Sequence, residues 1–187
     1  LIYFVFDSAE NSSAKLTDDD NKTCISNKLK GEWQVLNADK NSITLDYCDL
    51  VVNGEMMAQN MPVSDVQETL CAYGKQVNAK IIFRFYIKEL SFNTCELMLE
   101  TPEFLDIFVN GSKVEKDITG YCHDACFKTV DIFKCLKCGE NEVSLSCNFI
   151  QSDSAYKMLD DIKHFESVKN SLTYDMEIEA VYLKGDF

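Results

Sequence analysis

Short strand patterns separated by turn residues run through the middle of the chain and constrain the fold more than any other feature. The predicted strands are rich in β-branched and aromatic residues or alternate between apolar and polar side chains. They cover residues 81–87, 95–100, 104–109, 127–133 and 142–149. Strands this short, recurring at a spacing of about ten residues, indicate an all-β sandwich or jelly roll.

Two turn sequences predict where these strands reverse direction. Asn110-Gly111 follows an apolar run and is a strong hairpin signal, because both residue types adopt positive φ at little cost. Gly139, Glu140 and Asn141 predict a second turn, which leads into the strand over 142–149.

Weaker strand signals lie on either side of this stretch. Residues 1–6 and 172–183 are predicted to be strands. Residues 42–47 alternate, with Ile43, Leu45 and Tyr47 on one face, and are predicted to form a hairpin with residues 33–35.

Two short helices complete the predicted set of elements. Residues 62–74 predict a helix with a capping box of Ser64 and Gln67 and a C-terminal cap at Gly74. Residues 154–168 have apolar side chains at helical spacing and predict a second, amphipathic helix.

The domain organisation follows from these patterns. Residues 1–28 are predicted to be an N-terminal strand and polar loop, the end of a preceding domain, and residues 29–187 a β-sandwich with one or two short peripheral helices. A chain of 187 residues closes a core, burying about 70% of the surface its unfolded form exposes. The sequence lacks an initiator Met, and we expect it to come from within a longer protein.

Charge excludes several classes of partner. The net charge is −13, so nucleic acid and anionic membranes are not expected partners, since binding phosphates requires clustered Lys and Arg. Arg84 is the single arginine, and its strand position predicts an outward side chain with a carboxylate partner. The chain contains no run of about 18 apolar residues, so no membrane-spanning segment is predicted.

Nine cysteines indicate free thiols in a reducing compartment, which favours the cytoplasm. Their number is odd and most lie inside predicted strands. The alternative is a zinc site, because two cysteine pairs and a histidine fall within one short segment. Its ligands would come from Cys122, His123, Cys126, Cys135 and Cys138. We prefer the interpretation as buried and turn thiols, because the predicted strand over 127–133 would hold the two pairs apart.

No catalytic constellation stands out. Only His123 and His164 are available as histidine bases. Carboxylates are abundant, but glycosidase chemistry needs two of them across a sugar, and the sequence singles out no pair. Glu177 and Glu179 share one strand face, and their alternation with apolar residues predicts that they face solvent.

The strand block resembles a known family. The matching residues are Phe83-Arg84-Phe85-x-Ile87, Leu97-x-Leu99, Ile107-x-Val109-Asn110-Gly111, Asp131-Ile132 and Leu136-Lys137-x-Gly139-x-Asn141-x-Val143-x-Leu145. Their order resembles the sugar-binding β-sandwich domain of glycoside hydrolase family 2 and related large bacterial glycosidases, over about residues 81–149. The flanking segments look like the accessory region of long bacterial glycosidases of the family 2 and family 106 kind.

This resemblance implies a galactose-binding-domain-like jelly roll without catalytic residues of its own. In such enzymes the catalytic carboxylates lie on a separate barrel domain, which would be a partner of this chain, together with carbohydrate. Domains of this fold often carry a structural calcium ion, for which no ligands can be assigned here. No other cofactor is expected.

A sugar site would need aromatic, carboxylate and amide groups that converge at one end of the sandwich. The loop around Tyr121, His123 and Asp124 is the best candidate, with Tyr121 stacking on the sugar and the other two bonding hydroxyl groups. The alternative is a plain connection whose tyrosine covers the core. Trp33 is a second stacking candidate, although a lone strand tryptophan more often belongs to the core.

Three functions therefore follow from the sequence, in order of preference. The first is a non-catalytic accessory domain of a larger glycoside hydrolase, structural and with carbohydrate binding as a further role. The second is an independent carbohydrate-binding module with a site at the loop end. The third and most remote is a zinc-stabilised interaction domain.

Overall fold

Two antiparallel β-sheets make up the part of the chain that the computed structural model describes, residues 38–122, 124–178 and 180–187. The five-stranded sheet contains, in spatial order, β1 (Asn41–Thr44), β11 (Val181–Gly185), β5 (Cys95–Leu99), β9 (Asp124–Asp131) and β8 (Ile118–Cys122). The six-stranded sheet contains, in spatial order, β3 (Glu55–Pro62), β2 (Tyr47–Val52), β4 (Val77–Ile87), β10 (Gly139–Phe149), β6 (Asp106–Val109) and β7 (Ser112–Lys113).

The chain alternates repeatedly between the two sheets. It passes from the six-stranded sheet at β4 to the five-stranded sheet at β5, returns at β6, and crosses again at β8, β10 and β11. Such exchange between two packed sheets is how a jelly roll is connected. The all-β sandwich predicted from the sequence is confirmed.

Rows of inward-facing side chains form the core. On the six-stranded sheet, Leu50 pairs with Ile81, Ile81 with Leu145, and Leu145 with Ile107, and all four side chains are fully buried. On the other sheet Leu97 and Val130 form a similar buried pair. Each fully buried aliphatic side chain contributes about 1.5–3 kcal/mol to folding, so these rows hold the sheets together.

Two short helices lie outside the sheets, as the sequence predicts. Helix α1 (Val66–Cys71) follows a 3₁₀ turn at Val63–Asp65 and connects β3 to β4. Helix α2 (Asp153–Ile162) follows β10 and precedes a 3₁₀ segment, Glu166–Ser171. The predicted helix over 154–168 therefore ends about a turn and a half early, and its outer residue Phe165 is exposed.

The prediction of one continuous strand over residues 42–47 is wrong, because the structure has two separate strands there. The chain leaves the five-stranded sheet after Thr44 and enters the six-stranded sheet at Tyr47, so the alternation does not run through the crossing. Leu45 is buried, but Ile43 is 51% exposed on the edge strand and Tyr47 is 58% exposed. The predicted partner strand over 33–35 and the domain boundary at residue 28 lie outside the described residues.

The hairpin turn predicted at Asn110-Gly111 is confirmed. Asn110 and Gly111 have φ of +51° and +80°, and they join β6 to β7 as predicted. Asn53 and Gly54 have similar positive φ values, +52° and +86°, and join β2 to β3. The sequence analysis did not predict β3, because this edge strand is almost entirely exposed and lacks an apolar–polar alternation.

Other strand boundaries move by a few residues. Phe104 belongs to a 3₁₀ turn, Pro102–Phe104, and strand β6 begins two residues later. Strand β9 starts at Asp124 and stops at Asp131, before a 3₁₀ turn. Gly139, predicted to be in a turn, already pairs with Ile87 as the first residue of β10.

The predicted capping box of α1 is wrong, although its C-terminal cap is confirmed. The Gln67 side chain is only 3% exposed and points into the core, and the Ser64 hydroxyl bonds the Asp65 carboxylate. Gly74 has a φ of +60° and donates its N–H to the carbonyl of Cys71. A glycine is required there because L side chains rarely adopt that conformation.

Two buried glutamines hold the segment before β11, which was predicted to be part of a strand. Gln67 donates to the carbonyl of Met176 (3.0 Å) and accepts the N–H of Ile178 (3.1 Å). Gln151 donates to the same carbonyl (2.7 Å) and accepts the N–H of Asp175 (2.8 Å). Side-chain amides thus satisfy the backbone groups that a neighbouring strand would otherwise pair.

We expect Gln67→Ala to destabilise the fold by about 2–4 kcal/mol, because it removes two hydrogen bonds and leaves the buried N–H of Ile178 without its acceptor. Urea unfolding measured by circular dichroism provides the free energy. Gln76→Ala, at an exposed position after α1, is the matched control and should change it by less than about 0.5 kcal/mol. Equal effects of the two substitutions would contradict this role of Gln67.

Candidate functional site

The predicted sugar loop is a tight hairpin between β8 and β9. Tyr121 is 66% exposed near the end of β8, and Asp124 is exposed at the start of β9. Asp124 accepts the backbone N–H of Cys126 at 2.9 Å, and this bond lowers the pKa of its carboxyl group. His123 and Trp33, the other predicted sugar contacts, lie outside the described residues. Tyr121 and Asp124 therefore lie on the two strands of one exposed hairpin.

The same hairpin is tied to β11 by two contacts. The Lys184 ammonium donates to the Cys122 sulfur at 3.0 Å, and the thiol is buried. The Phe127 and Tyr182 rings meet edge to face, with centroids 5.7 Å apart. Because β5 lies between β9 and β11, both contacts extend over β5 on the outer face of the five-stranded sheet.

A concavity that the sequence analysis missed lies where the chain crosses from β1 to β2. We call it the Tyr47 concavity. Its volume is about 360 Å³, and its lining consists of Thr44, Asp46, Tyr47, Pro62, Val63, Ser64 and Ala180. The N–H of Val63 donates to the Asp46 carbonyl at 2.8 Å, which fixes the two walls relative to each other.

The chemistry of the Tyr47 concavity combines an exposed aromatic ring with polar groups. The Tyr47 side chain is more than half exposed, and the same lining includes Asp46, which carries a carboxylate, and Thr44 and Ser64, which carry hydroxyl groups. The Ser64 hydroxyl also donates to the Asp65 carboxylate at 3.0 Å. The sequence did carry a signal for it. Leu45 and Cys48 are apolar but three residues apart, which breaks the two-residue period and marks a crossing.

Two other concavities are less suited to an aromatic contact. The larger, about 580 Å³, lies between β3 and α1, where the half-buried Tyr73 donates its hydroxyl to the Met57 sulfur at 3.6 Å. The third, about 330 Å³, lies on the six-stranded sheet near Asn78, Lys80 and Asn148. No aromatic side chain lines it.

Arg84 has the carboxylate partners that its strand position predicted. Its guanidinium bonds the carboxylate of Asp49 and pairs with that of Glu142 at 3.3 Å. The bond from Arg84 lowers the pKa of Asp49. The only guanidinium of the chain is thus neutralised on both sides, and it is not a free anion-binding group.

Glu177 does not face solvent freely, which corrects the sequence prediction. Partial burial raises the pKa of its carboxyl group, and the charge of Glu100 and a hydrogen bond to it raise the pKa further. The buried Oε2 of Glu100 has no hydrogen-bond partner among the described residues. Glu177 is therefore held beside a second carboxyl group, and both burial and this neighbour disfavour its charged form. Glu179 lies outside the described residues.

This carboxyl pair does not have the geometry of a glycosidase. A retaining enzyme separates its two carboxyl groups by about 5 Å, and an inverting enzyme by about 6.5–9.5 Å, so that a sugar lies between them. Glu100 and Glu177 bond each other directly and line none of the three concavities. The pair is a structural contact between the end of β5 and the segment before β11.

The described cysteines are free thiols. Burial raises the pKa of Cys48 and Cys95 to about 12, and that of Cys71 and Cys147 to about 11. These thiols are inert core residues. Within residues 38–122, 124–178 and 180–187, no three Cys, His, Asp or Glu side chains are placed to hold a metal ion.

Four of the residues that carry the family resemblance, Asn110, Lys137, Gly139 and Asn141, belong to one hydrogen-bond network. Asn110 donates to the carbonyl of Cys135 (2.9 Å) and to the side chain of Asn141 (2.8 Å). Asn141 is buried, bonds both backbone groups of Lys137, and donates to the carbonyl of Gly139. The two asparagines therefore fix the loop before β10, and their role is structural.

Comparison with known proteins finds a distant structural similarity and no family. No protein-family model matches the chain, and no curated protein matches its sequence. Among solved structures, the crystal structure of β-D-mannosidase from Dictyoglomus thermophilum is similar, with 14% sequence identity and a TM-score of 0.45. The match covers 78% of this chain but 22% of that one, so the chain spans about a fifth of the length of that enzyme.

This similarity assigns neither a family nor an activity to the chain. In the described part of the chain, neither helix has the length and apolar character needed to cross a bilayer.

We expect Glu177→Gln to stabilise the fold at pH 7, because it removes the repulsion from Glu100 and supplies an amide donor to its Oε2. A carboxyl pKa raised by folding favours the folded state below the ordinary value of 4.5, and this contribution is lost as the pH rises through the raised value. The difference in melting temperature between variant and wild type should therefore grow from pH 4 to pH 7.

Glu103→Gln is the control of opposite sign. Partial burial raises the pKa of Glu103, but the hydrogen bond from Lys128 (2.7 Å), a backbone hydrogen bond and the charges of Lys128 and Lys116 together lower it below the ordinary value. That contribution is present above the ordinary pKa and is lost in acid, so this variant should be less stable than wild type at pH 7 and approach it below pH 4. The same pH profile in both variants would contradict the raised pKa of Glu177.

Proposed function

We propose that this chain is a non-catalytic β-sandwich accessory domain of a larger glycoside hydrolase and that it binds neutral carbohydrate at the Tyr47 concavity. The family resemblance over residues 81–149 supports the first part. The second part depends on one observation, an exposed aromatic ring beside a carboxylate and two hydroxyl groups in an open concavity.

These groups match the chemistry of a sugar. The apolar face of a pyranose packs on an aromatic ring, and its hydroxyl groups donate to carboxylates and exchange hydrogen bonds with hydroxyls. A volume of about 360 Å³ lies at the lower end of the range for ligand pockets, about 300–1,000 Å³, and suits one or two sugar rings. The net charge of −13 disfavours acidic sugars.

The β8–β9 hairpin is the second location. Tyr121 offers the more exposed ring, and Asp124 a carboxylate, with His123 and Trp33 as the further residues of the sequence-based hypothesis. The hairpin residues line none of the three concavities described above, whereas binding sites are concave. We therefore prefer the Tyr47 concavity.

The partner of this domain in the proposed enzyme is the catalytic barrel, as the resemblance implies. The direct bond between Glu100 and Glu177 supports a non-catalytic role, since this pair leaves no room for a substrate. The free thiols favour a reducing compartment. An independent carbohydrate-binding module would use the same site, and the remote alternative is a zinc-stabilised domain.

Titration calorimetry with a panel of neutral mono- and disaccharides tests the proposal. We expect saturable binding of one sugar class, weakened at least about fivefold by Tyr47→Ala, since an aromatic stacking contact is worth about 1 kcal/mol and a loss of this size lowers the affinity about fivefold. Tyr86→Ala is the matched control, because Tyr86 is 70% exposed on a strand that the concavity does not include, and it should bind as wild type does.

Three outcomes contradict parts of the proposal. Loss of binding in Tyr121→Ala or Asp124→Ala, with Tyr47→Ala unaffected, moves the site to the hairpin. If the folded protein binds no sugar of the panel, the carbohydrate-binding part of the proposal is wrong and a scaffold role remains. Hydrolysis of an aryl glycoside by the chain alone, abolished by Glu177→Gln, overturns the non-catalytic assignment.

A further inference from the structure

Cys122 differs from the other described cysteines in its electrostatic surroundings. The ammonium of Lys184 contacts its sulfur at 3.0 Å, and this hydrogen bond raises the pKa of Lys184. Among the described thiols it is the one with such a cationic contact. A cation beside a cysteine favours the thiolate, which is the nucleophilic and oxidisable form.

Cys126, the other cysteine of the hairpin, has the opposite electrostatic surroundings. Cys126 lies on the same hairpin and is fully exposed, but a hydrogen bond to Asp124 and the negative charges of Asp124, Glu100 and Glu177 raise its pKa. Exposure alone would favour the oxidation of Cys126. Cys122 has the cationic contact and Cys126 does not, so the exposed thiol and the thiol with a cationic partner are different residues.

Exposed residues flank the pair at the edge of the five-stranded sheet. Cys122 ends the edge strand β8 between the exposed Tyr121 and the exposed Asp124, and Lys184 is half-buried on β11. The pair therefore lies just beneath the surface. The two residues are far apart in sequence and belong to strands that do not pair, so a bond between them would join the edge hairpin to β11.

We propose that Cys122 and Lys184 form a peroxide-sensitive pair, in which oxidation of the thiol leads to a sulfur–nitrogen crosslink between β8 and β11. In the first step the Cys122 thiolate attacks one oxygen of a hydroperoxide. The S–O bond forms, the O–O bond breaks, and the departing hydroxide takes a proton from the Lys184 ammonium to become water. Sulfur loses two electrons and becomes a sulfenic acid, and the peroxide is reduced.

The second step uses the amine that the first step has released. The neutral Lys184 nitrogen attacks the sulfenic sulfur, the S–N bond forms, and the S–O bond breaks. The departing hydroxide takes the proton that nitrogen loses, which produces a second water. One hydrogen peroxide is consumed in all, and the chain becomes lighter by two hydrogen atoms. Thiols reverse the reaction by attack at sulfur.

Hydrogen peroxide treatment of the whole chain, followed by mass spectrometry of intact protein and of peptides, tests the proposal. We expect a loss of two hydrogen atoms, a crosslinked peptide that contains Cys122 and Lys184, and recovery of the original mass with dithiothreitol. A β-dicarbonyl reagent that traps sulfenic acids should label Cys122 at least about tenfold faster than Cys126, since the thiolate is the reactive form.

Three variants separate the steps. Lys184→Arg keeps a cation but lacks the condensing amine, so it should accumulate trapped sulfenic acid at Cys122 without a crosslink. Lys184→Met should slow the trapping at Cys122 as well. Cys126→Ser should still form the crosslink, which distinguishes it from a Cys122–Cys126 disulfide of the same mass.

The opposite results overturn the proposal. They are a loss of two hydrogen atoms that persists in Lys184→Arg, its disappearance in Cys126→Ser, or equal trapping at Cys122 and Cys126. All three readouts are independent of sugar binding, so the proposed function and this crosslink stand or fall separately.

Discussion

The structure depends on how the chain satisfies backbone groups where no strand lies beside them. Residues 175–178 enter the core between the helices and the sheets, and the side chains of Met176 and Ile178 are buried there. An unpaired buried N–H or carbonyl costs about as much as a lost hydrogen bond. Gln67 and Gln151 remove that cost, and they come from α1 and from the end of β10. Two polar side chains thereby connect both helical segments to the strand that closes the five-stranded sheet.

Features of the fold could be predicted from the sequence where neighbouring residues alone determine them, and not where they depend on residues distant in the sequence. The Asn110-Gly111 turn and the Gly74 cap need positive φ, which is a property of the residues themselves, and both were predicted correctly. The capping box at Ser64 and Gln67 was wrong because its pattern is also met by a glutamine whose partners lie more than a hundred residues away. Tyr47 was placed on the wrong face because a crossing between sheets resets the alternation.

The same distinction applies to the candidate sites. Arg84 was predicted to have a carboxylate partner, since an arginine in a strand of an acidic protein has many within reach, and it has two. The pairing of Glu100 with Glu177 and the contact of Cys122 with Lys184 join strands distant in sequence, and nothing in the local patterns indicates them. Sites formed by tertiary contacts of this kind become visible only when the sheet order is known.

The longest strand pair also determines how the chain reaches its fold. Strands β4 and β10 pair along all eleven residues of each, at the centre of the six-stranded sheet. In the sequence, residues 88–138 separate the two strands. To form contacts between segments so far apart, the chain must first close a large loop, and the entropy lost in closing it slows folding. During synthesis, β4 must wait for the ribosome to release residue 149 before its central neighbour is complete. Until then its apolar face and one backbone edge are open, and this interval is when the nascent chain is most prone to pair with the wrong strand.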